Sequence, residues 1–381
     1  MKRKLFDSEH KIFRDAFRTF VEREITPYHK EWEEAGIVPK ELWTQAGEQG
    51  YLCPWLPEQY GGMGTNFLYS AIITEELSYA GASGVAFNLH SDIVVPYLYH
   101  YGDDSQKERY LPGCANGSLV SAIAMTEPNT GSDLAAIKAT AEKQGDHYVL
   151  NGQKTFISNG HLADLIIVAA KTDVNADPPH AGVSLFLVES SYKGFKRGKR
   201  LEKIGMKAQD TAELYFEDCH VPAENLLGQE GGGFYYLMQQ LAQERLIVAV
   251  GAVAAARSVL DMTMKYSKER KAFGRSISRF QNTRFALAEV ATEIELGQAF
   301  VDRVIEEHVA GEALPTEASM AKYWTTEMLK RNTDRCLQFF GGYGYMAEYP
   351  IAKAYLDARV QTIYAGTTEI MKEIISRNLD L

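Results

Sequence analysis

Several things are scarce or missing in this 381-residue chain, and each omission removes a class of function. Cysteine is scarce: Cys53, Cys114, Cys219 and Cys336 are scattered, with no CxxC spacing. That pattern suggests neither a zinc site nor a disulfide framework, so a reducing compartment and no metal are expected. Positive charge is short as well. The formal net charge is −10, and the basic clusters are only KRK at 2–4 and KRGKR at 196–200, the latter read as a solvated loop between strands. A nucleic-acid binder is therefore not expected. The longest apolar run, 246–256, is too short to cross a bilayer, and MKRKLFDSEHK at the start has no apolar signal region. Neither secretion nor membrane insertion is expected. No Walker sequence, HExxH or GxSxG occurs, and no Ser or His nucleophile has an identifiable partner. The run GGYG at 341–344 follows a helical stretch rather than a strand, which removes a Rossmann reading.

What is present changes texture twice along the chain. Asp7 or Ser8 can cap a first helix that puts Phe13, Phe17, Phe20 and Val21 on one face and stops near Pro27. Further helical patterns cover 39–49, 67–79, 85–101 and 105–117, the last ended by Pro112 and Gly113, with a turn-rich loop, PWLPEQYGGMG, at 54–64. Then HYVLNGQKTFISNG at 147–160 reads as a strand, an Asn-Gly hairpin turn and a second strand. LIIVAA (165–170), VSLFLV (183–188) and TAELYFED (211–218) read as three more strands, the last alternating Ala212, Leu214 and Phe216 against Glu213, Tyr215 and Glu217. Long helical patterns return at 234–269, 280–310, 316–340 and 350–364, as in an up-and-down four-helix bundle. The expected class is α+β in three domains: an N-terminal helical domain (1–119), a middle β-barrel or sandwich (120–229) and a C-terminal four-helix bundle (230–381).

Within LAQERLIVAVGAVAAA (241–256), helical spacing places Leu241, Glu244, Val248, Gly251 and Ala255 on one stripe, with Glu244 its only carboxylate. Taken alone, the stretch allows two readings. Glu244 sits at the wet margin of a core helix beside a basic partner, or it is buried with a raised pKa, ready to take a proton from carbon. Elsewhere, small and hydroxyl-bearing residues crowd AMTEPNTGSD (124–133). Phe156 and Ser158 stand near the end of a strand, and a Gly with two hydroxyls interrupts IYAGTTEI (363–370).

In chain order, PEQYGG, AMTEPNTGSD, NGQKTFISNG, KIGMKAQDTAEL, ERKAFG, QFFGGYGY and IYAGTTEI resemble the acyl-CoA dehydrogenase family of flavoproteins along the whole chain. The resemblance implies that family's three-domain fold, FAD in the crevice between the β domain and the bundle, and a homotetramer. It places Met125 and Thr126 at the flavin, Ser158 near N5, Phe156 over the isoalloxazine and Ser132 beside the cofactor phosphates and the CoA side. Arg270, Phe273, Gln281, Gln338 and Gly342 match positions reaching a neighbouring subunit's FAD, and Thr367 and Glu369 match the segment beside the diphosphate and ribose. Tyr235, Gln243, Arg245, Ala365 and Gly366 fall on the substrate side, with an ion pair an equal alternative for Arg245. Many members carry their catalytic Glu where this chain has Ala365; a minority, including long-chain and isovaleryl-type enzymes, carry it at the position of Glu244. With the first position a methyl group, the buried-base reading of Glu244 gains.

The implied reaction is α,β-dehydrogenation of a fatty acyl-CoA to the trans-2-enoyl-CoA, with Glu244 as base and electron-transferring flavoprotein as acceptor. The backbone N–H of Ala365 would hold the thioester carbonyl. The wording around Tyr235 and in SMAKYW looks most like the long-chain branch, favouring medium to long chains. An isovaleryl-type enzyme is the runner-up. A flavin monooxygenase and a non-enzymatic acyl-CoA binder on the same fold remain rivals. The expected location is the cytoplasm of a bacterium, or the mitochondrial matrix for a processed eukaryotic chain.

Overall fold

The computed structural model describes residues 3–379, so Lys2 of the opening KRK lies outside the described residues. Asp7 caps α1 (Ser8–Phe20), its carboxylate accepting from the His10 N–H, and Phe17 and Phe20 are buried. The chain continues as a π-helical turn, Val21–Ile25, before Pro27. A short α2 (His29–Ala35), not foreseen in the sequence, ends at Gly36 in the left-handed conformation. Then come α3 (Lys40–Glu48) and α4 (Phe67–Tyr79). The expected helix over 85–101 is a π-helical segment, Leu89–Val94, leading into α5 (Val95–Tyr101). Next, α6 (Asp104–Ala115) starts in a capping box between Asp103 and Gln106. It runs through Pro112, where a stop was expected. The Pro112 carbonyl still accepts from the Asn116 N–H, so the helix carries on past the ring; the bond it lacks is the one its own N–H would give to the Glu108 carbonyl.

Eight strands form one sheet in the middle of the chain: β1 (Ser121–Ala124), β2 (Thr140–Gln144), β3 (His147–Ser158), β4 (Leu165–Lys171), β5 (Val183–Glu189), β6 (Phe195–Arg200), β7 (Thr211–Pro222) and β8 (Leu226–Leu227). Their order is β6-β7-β3-β2-β4-β5-β8, with β1 parallel to β4. Two sequence expectations are corrected. Asn151-Gly152 is not a hairpin turn: β3 is continuous and bulges there, with a register shift against β7 between Leu150 and Gly152. Gly152 sits at φ +151, and a Cβ there would come within 2.6 Å of the Ala139 Cβ. The tight turn is Gly145-Asp146, closing β2 onto β3. The KRGKR run is not a loop but edge strand β6, paired only with β7, and its charges blunt that edge. One sheet face closes its own core around Tyr148, Leu150, Ile166, Phe186 and Leu214. The other packs Ile167, Leu185 and Leu187 against Val95 and Leu98 of α5 and Leu111 of α6.

The C-terminal part contains α7 (Gly233–Glu269), α8 (Gln281–Val309), α9 (Pro315–Phe340), α10 (Pro350–Val360) and α11 (Thr368–Arg377). The pattern read over 350–364 ends at Val360, and α11 restarts after the turn at 361–367, capped by Thr367. Helix α7 is long and apolar enough to cross a membrane by length and composition, beyond the expectation from the sequence. Its apolar stretch is spent inside the protein, where Ile247, Ala249, Ala252, Val253 and Ala256 are buried against α4, α8 and α9. Gly251 lets α4 approach, since a Cβ there would meet Ser78 Oγ at 2.9 Å. The three parts of the chain meet at Asp357 of α10, which accepts from Ser83 Oγ, Lys353 Nζ and the Met206 N–H.

Candidate active site

Glu244 is 3% exposed, as are few carboxylates in any protein. Burial pushes its pKa up to about 7, opposed by a hydrogen bond from Tyr97 and by the charge of Arg245. The Tyr97 hydroxyl donates to Glu244 Oε1 at 2.6 Å. Among the described residues no cation lies within ion-pair distance of Glu244, so the wet-margin, ion-paired alternative fails. The stripe around it is apolar, with Leu241 and Val248 buried. Arg245 is also buried. Its Nη1 reaches Ser319 Oγ at 3.4 Å, and its Nε has no partner among the described residues. Gln243, expected on the substrate side, bonds within the fold, with Nε2 on the Asp92 carbonyl at 2.7 Å and Oε1 beside His308 Nε2 at 3.2 Å. A carboxylate that ionises near neutrality in apolar surroundings suits proton removal from carbon.

The loop after β1 is fixed to β3 by a buried cation that sequence reading missed. Lys154 Nζ donates to the Met125 carbonyl (3.0 Å) and to Glu127 Oε1 (2.9 Å), while Glu127 also accepts from the N–H groups of Lys138 and Ala139. The Thr155 N–H adds a bond to the Thr126 carbonyl at 2.9 Å. Met125 and Thr126 are thereby held beside the end of β3, where Phe156 is 67% exposed and Ser158 half-buried. Phe156 stands at φ +59, next to a register shift between Lys154 and Ile157. Buried Asn159 closes the corner, donating to the Ser121 carbonyl and accepting from Gln209. Ser132 is exposed on the same loop.

Ala365 (φ +51) and Gly366 (φ +92) turn the chain between α10 and α11. Among the described residues no acceptor lies on the Ala365 N–H, whereas the Gly366 carbonyl takes a 2.6 Å bond from Lys322 Nζ. Lys322 is fully buried in α9, and burial together with the charge of Arg245 pushes its pKa down to about 8. The Thr367 hydroxyl accepts from the Ile370 N–H, so it serves as a helix cap, and Glu369, two residues on, is exposed. Phe156, Phe273 and Ala365 all hold left-handed backbone that L side chains avoid, at a typical cost of ~1–3 kcal/mol each.

Arg270, Gln338 and Gly342 line one surface cleft of about 460 Å³, with the Arg270 guanidinium 5.7 Å from the Tyr343 ring centre. Gln281 is exposed and Phe273 is 94% exposed on the loop between β9 (Lys271–Ala272) and β10 (Arg275–Ser276). Tyr235 does not join Glu244. It is exposed nine residues earlier on α7, roughly 14 Å along the axis, and its hydroxyl accepts from Gln239. The residues present fit a flavin: an exposed aromatic ring on strained backbone, half-buried hydroxyls at the same corner and a free backbone donor at residue 365.

These features suit a flavin-dependent oxidoreductase, and the comparisons give its kind. The chain matches the family models for the N-terminal domain (residues 7–118), the middle domain (122–219) and the C-terminal domain (231–379) of acyl-CoA dehydrogenase. It is 50% identical over 377 residues to the long-chain specific acyl-CoA dehydrogenase of Rattus norvegicus mitochondria, covering 99% of this chain and 88% of the relative. It is 37% identical to isovaleryl-CoA dehydrogenase of Pongo abelii mitochondria, covering 97% and 88%. The crystal structure of an acyl-CoA dehydrogenase from Geobacillus kaustophilus superposes with a TM-score of 0.99 at 56% identity, covering all of both chains. The chain belongs to the acyl-CoA dehydrogenase family and is an FAD-dependent enzyme.

Proposed function

We propose that this enzyme oxidises straight, medium to long fatty acyl-CoA thioesters to trans-2-enoyl-CoA, with Glu244 as the base. The observation that carries the reading is the pairing of a buried, near-neutral Glu244 with a methyl group at Ala365, which removes the competing carboxylate. A free glutamate near pKa 4.3 is too weak a base for an ordinary C–H. Burial strengthens Glu244, and the Ala365 N–H, without an acceptor among the described residues, would acidify the α-carbon by donating to the thioester carbonyl. One such donor is typically worth ~3 kcal/mol in the transition state. Lys322 fixes that donor by holding the Gly366 carbonyl. What FAD supplies, once bound, is an acceptor for the hydride leaving the β-carbon. Met125, Thr126, Ser132, Phe156, Ser158, Thr367 and Glu369 would hold it, and the apolar walls around Glu244 exclude water.

Electron-transferring flavoprotein is the acceptor in this reading. A homotetramer is supported by exposed Phe273, Gln281 and Tyr345 and by the open cleft of Arg270, Gln338 and Gly342, surfaces suited to a neighbour's cofactor. The domain limits 1–119, 120–229 and 230–381 are supported by the three family-model matches. The long-chain relatives named as mitochondrial support a mitochondrial location for a eukaryotic chain. The test is anaerobic bleaching of the FAD-loaded enzyme across a ladder of straight and branched acyl-CoAs. The fastest bleaching at limiting acyl-CoA is expected for straight chains of medium to long length. Preference for isovaleryl-CoA overturns the chain-length assignment, and unchanged colour with every acyl-CoA overturns the function.

A further inference from the structure

The segment opposite Glu244 grips α7 in register. The Asp92 carbonyl, in the π-helical turn Leu89–Val94, accepts from Gln243 at 2.7 Å. Tyr101, at the end of α5, donates to Gln239 Oε1 at 2.7 Å and stacks on Tyr236 with ring centres 4.0 Å apart. Between these two holds, Tyr97 meets Glu244 at 2.6 Å, and it is fully buried. A π turn adds a residue to the helical repeat and so re-aims the side chains that follow it; such turns gather at functional sites. A structural tyrosine needs only some buried acceptor. This one takes an oxygen of the carboxylate read as the base.

We propose that Tyr97 is a positioning residue for proton abstraction: its hydroxyl fixes one carboxylate oxygen of Glu244 and turns the other to the substrate's α-carbon. The inference rests on Glu244 being the base. The remaining ionisable groups around Glu244 are Arg245 on α7 itself, Lys322 of α9 behind Arg245, His308 of α8 against Gln243, and Asp92 and Tyr101 flanking Tyr97. Tyr97 is the one that bonds to the carboxylate. Because the phenol stabilises the charged form, deleting it raises the pH at which Glu244 becomes available. Above that pH the base is at least as strong as before. A bond to a charged group is worth roughly 1–2 pH units.

The experiment is the pH profile of kcat/KM for Tyr97→Phe, read with FAD content and KM, beside Glu244→Gln. The acid limb of Tyr97→Phe is expected about one unit higher, with flavin reduction at pH 7 slowed ~5-fold by the titration alone, a smaller loss that persists at pH 9 because the carboxylate is no longer held, and little change in KM. Should Tyr97→Phe fail to fold, 3-fluorotyrosine at position 97, a stronger donor of nearly the same shape, should move the limb downward. An acid limb left unshifted in either variant overturns the proposal. If Glu244→Gln keeps near wild-type reduction, the base assignment itself has failed, whatever Tyr97 does.

Discussion

Glu127 and Glu244 are almost equally hidden, 6% and 3% exposed, and the fold treats them in opposite ways. Burial pushes both carboxyls toward the protonated form. At Glu127 the Lys154 ammonium and two backbone N–H groups override it, and the pKa falls below its ordinary value. At Glu244 a single phenol and the more distant Arg245 do not, and the pKa stands at about 7. The lesson is that the partner set, not depth, separates a structural carboxylate from a reactive one. Glu127 is permanently charged and fastens the loop carrying Met125 and Thr126. Glu244 is left near its titration point, at some cost in stability.

Removing the Glu127 partner should have the larger effect on folding. Lys154→Met leaves a buried charge alone, a class of change that typically costs ~3–5 kcal/mol, and the loop it fastens should release FAD. Combining it with Glu127→Gln should restore part of that loss. Chemical denaturation and bound-FAD absorbance are the measurements, and a double variant no better than the single would break the comparison.

The opposite sign is expected at Glu244. Its folded pKa lies above the unfolded value, so between about pH 4.5 and 7 the folded state holds a proton that the unfolded state has lost. The stability this gives is complete below the unfolded pKa and is lost as pH rises through about 7. Glu244→Gln should therefore gain stability over the wild type as pH rises to 8, by at most ~3 kcal/mol. Melting temperatures at pH 5 and 8 check this; a variant less stable than the wild type at pH 8 would show the carboxylate to be well paired.

The sequence shows Glu244 clearly, because one carboxylate on an apolar helical stripe is conspicuous and Ala365 sits where a carboxylate would compete. Tyr97 could not be read from it. Its bond to Glu244 spans 147 residues, and the π turn before it has no period of its own. Lys154 was hidden by the bulge at Gly152, which breaks the alternation that would have marked it as inward-facing. The same bulge made Asn151-Gly152 resemble a hairpin. Lys322 left a fainter signal, a lysine inside SMAKYW on a helix face otherwise of small and apolar residues. The α-β-α texture was legible throughout, since the hydrophobic period changes twice and each change coincides with turn residues.

The most direct test of Glu244 as the base is single-turnover bleaching of bound FAD by a saturating straight-chain acyl-CoA, without oxygen, in the wild type and Glu244→Gln. The variant should bind acyl-CoA and reduce its flavin at least ~10²–10⁴-fold more slowly, and Ala365→Glu added to it should restore part of the rate. Reduction by Glu244→Gln at close to the wild-type rate would show that the proton goes elsewhere.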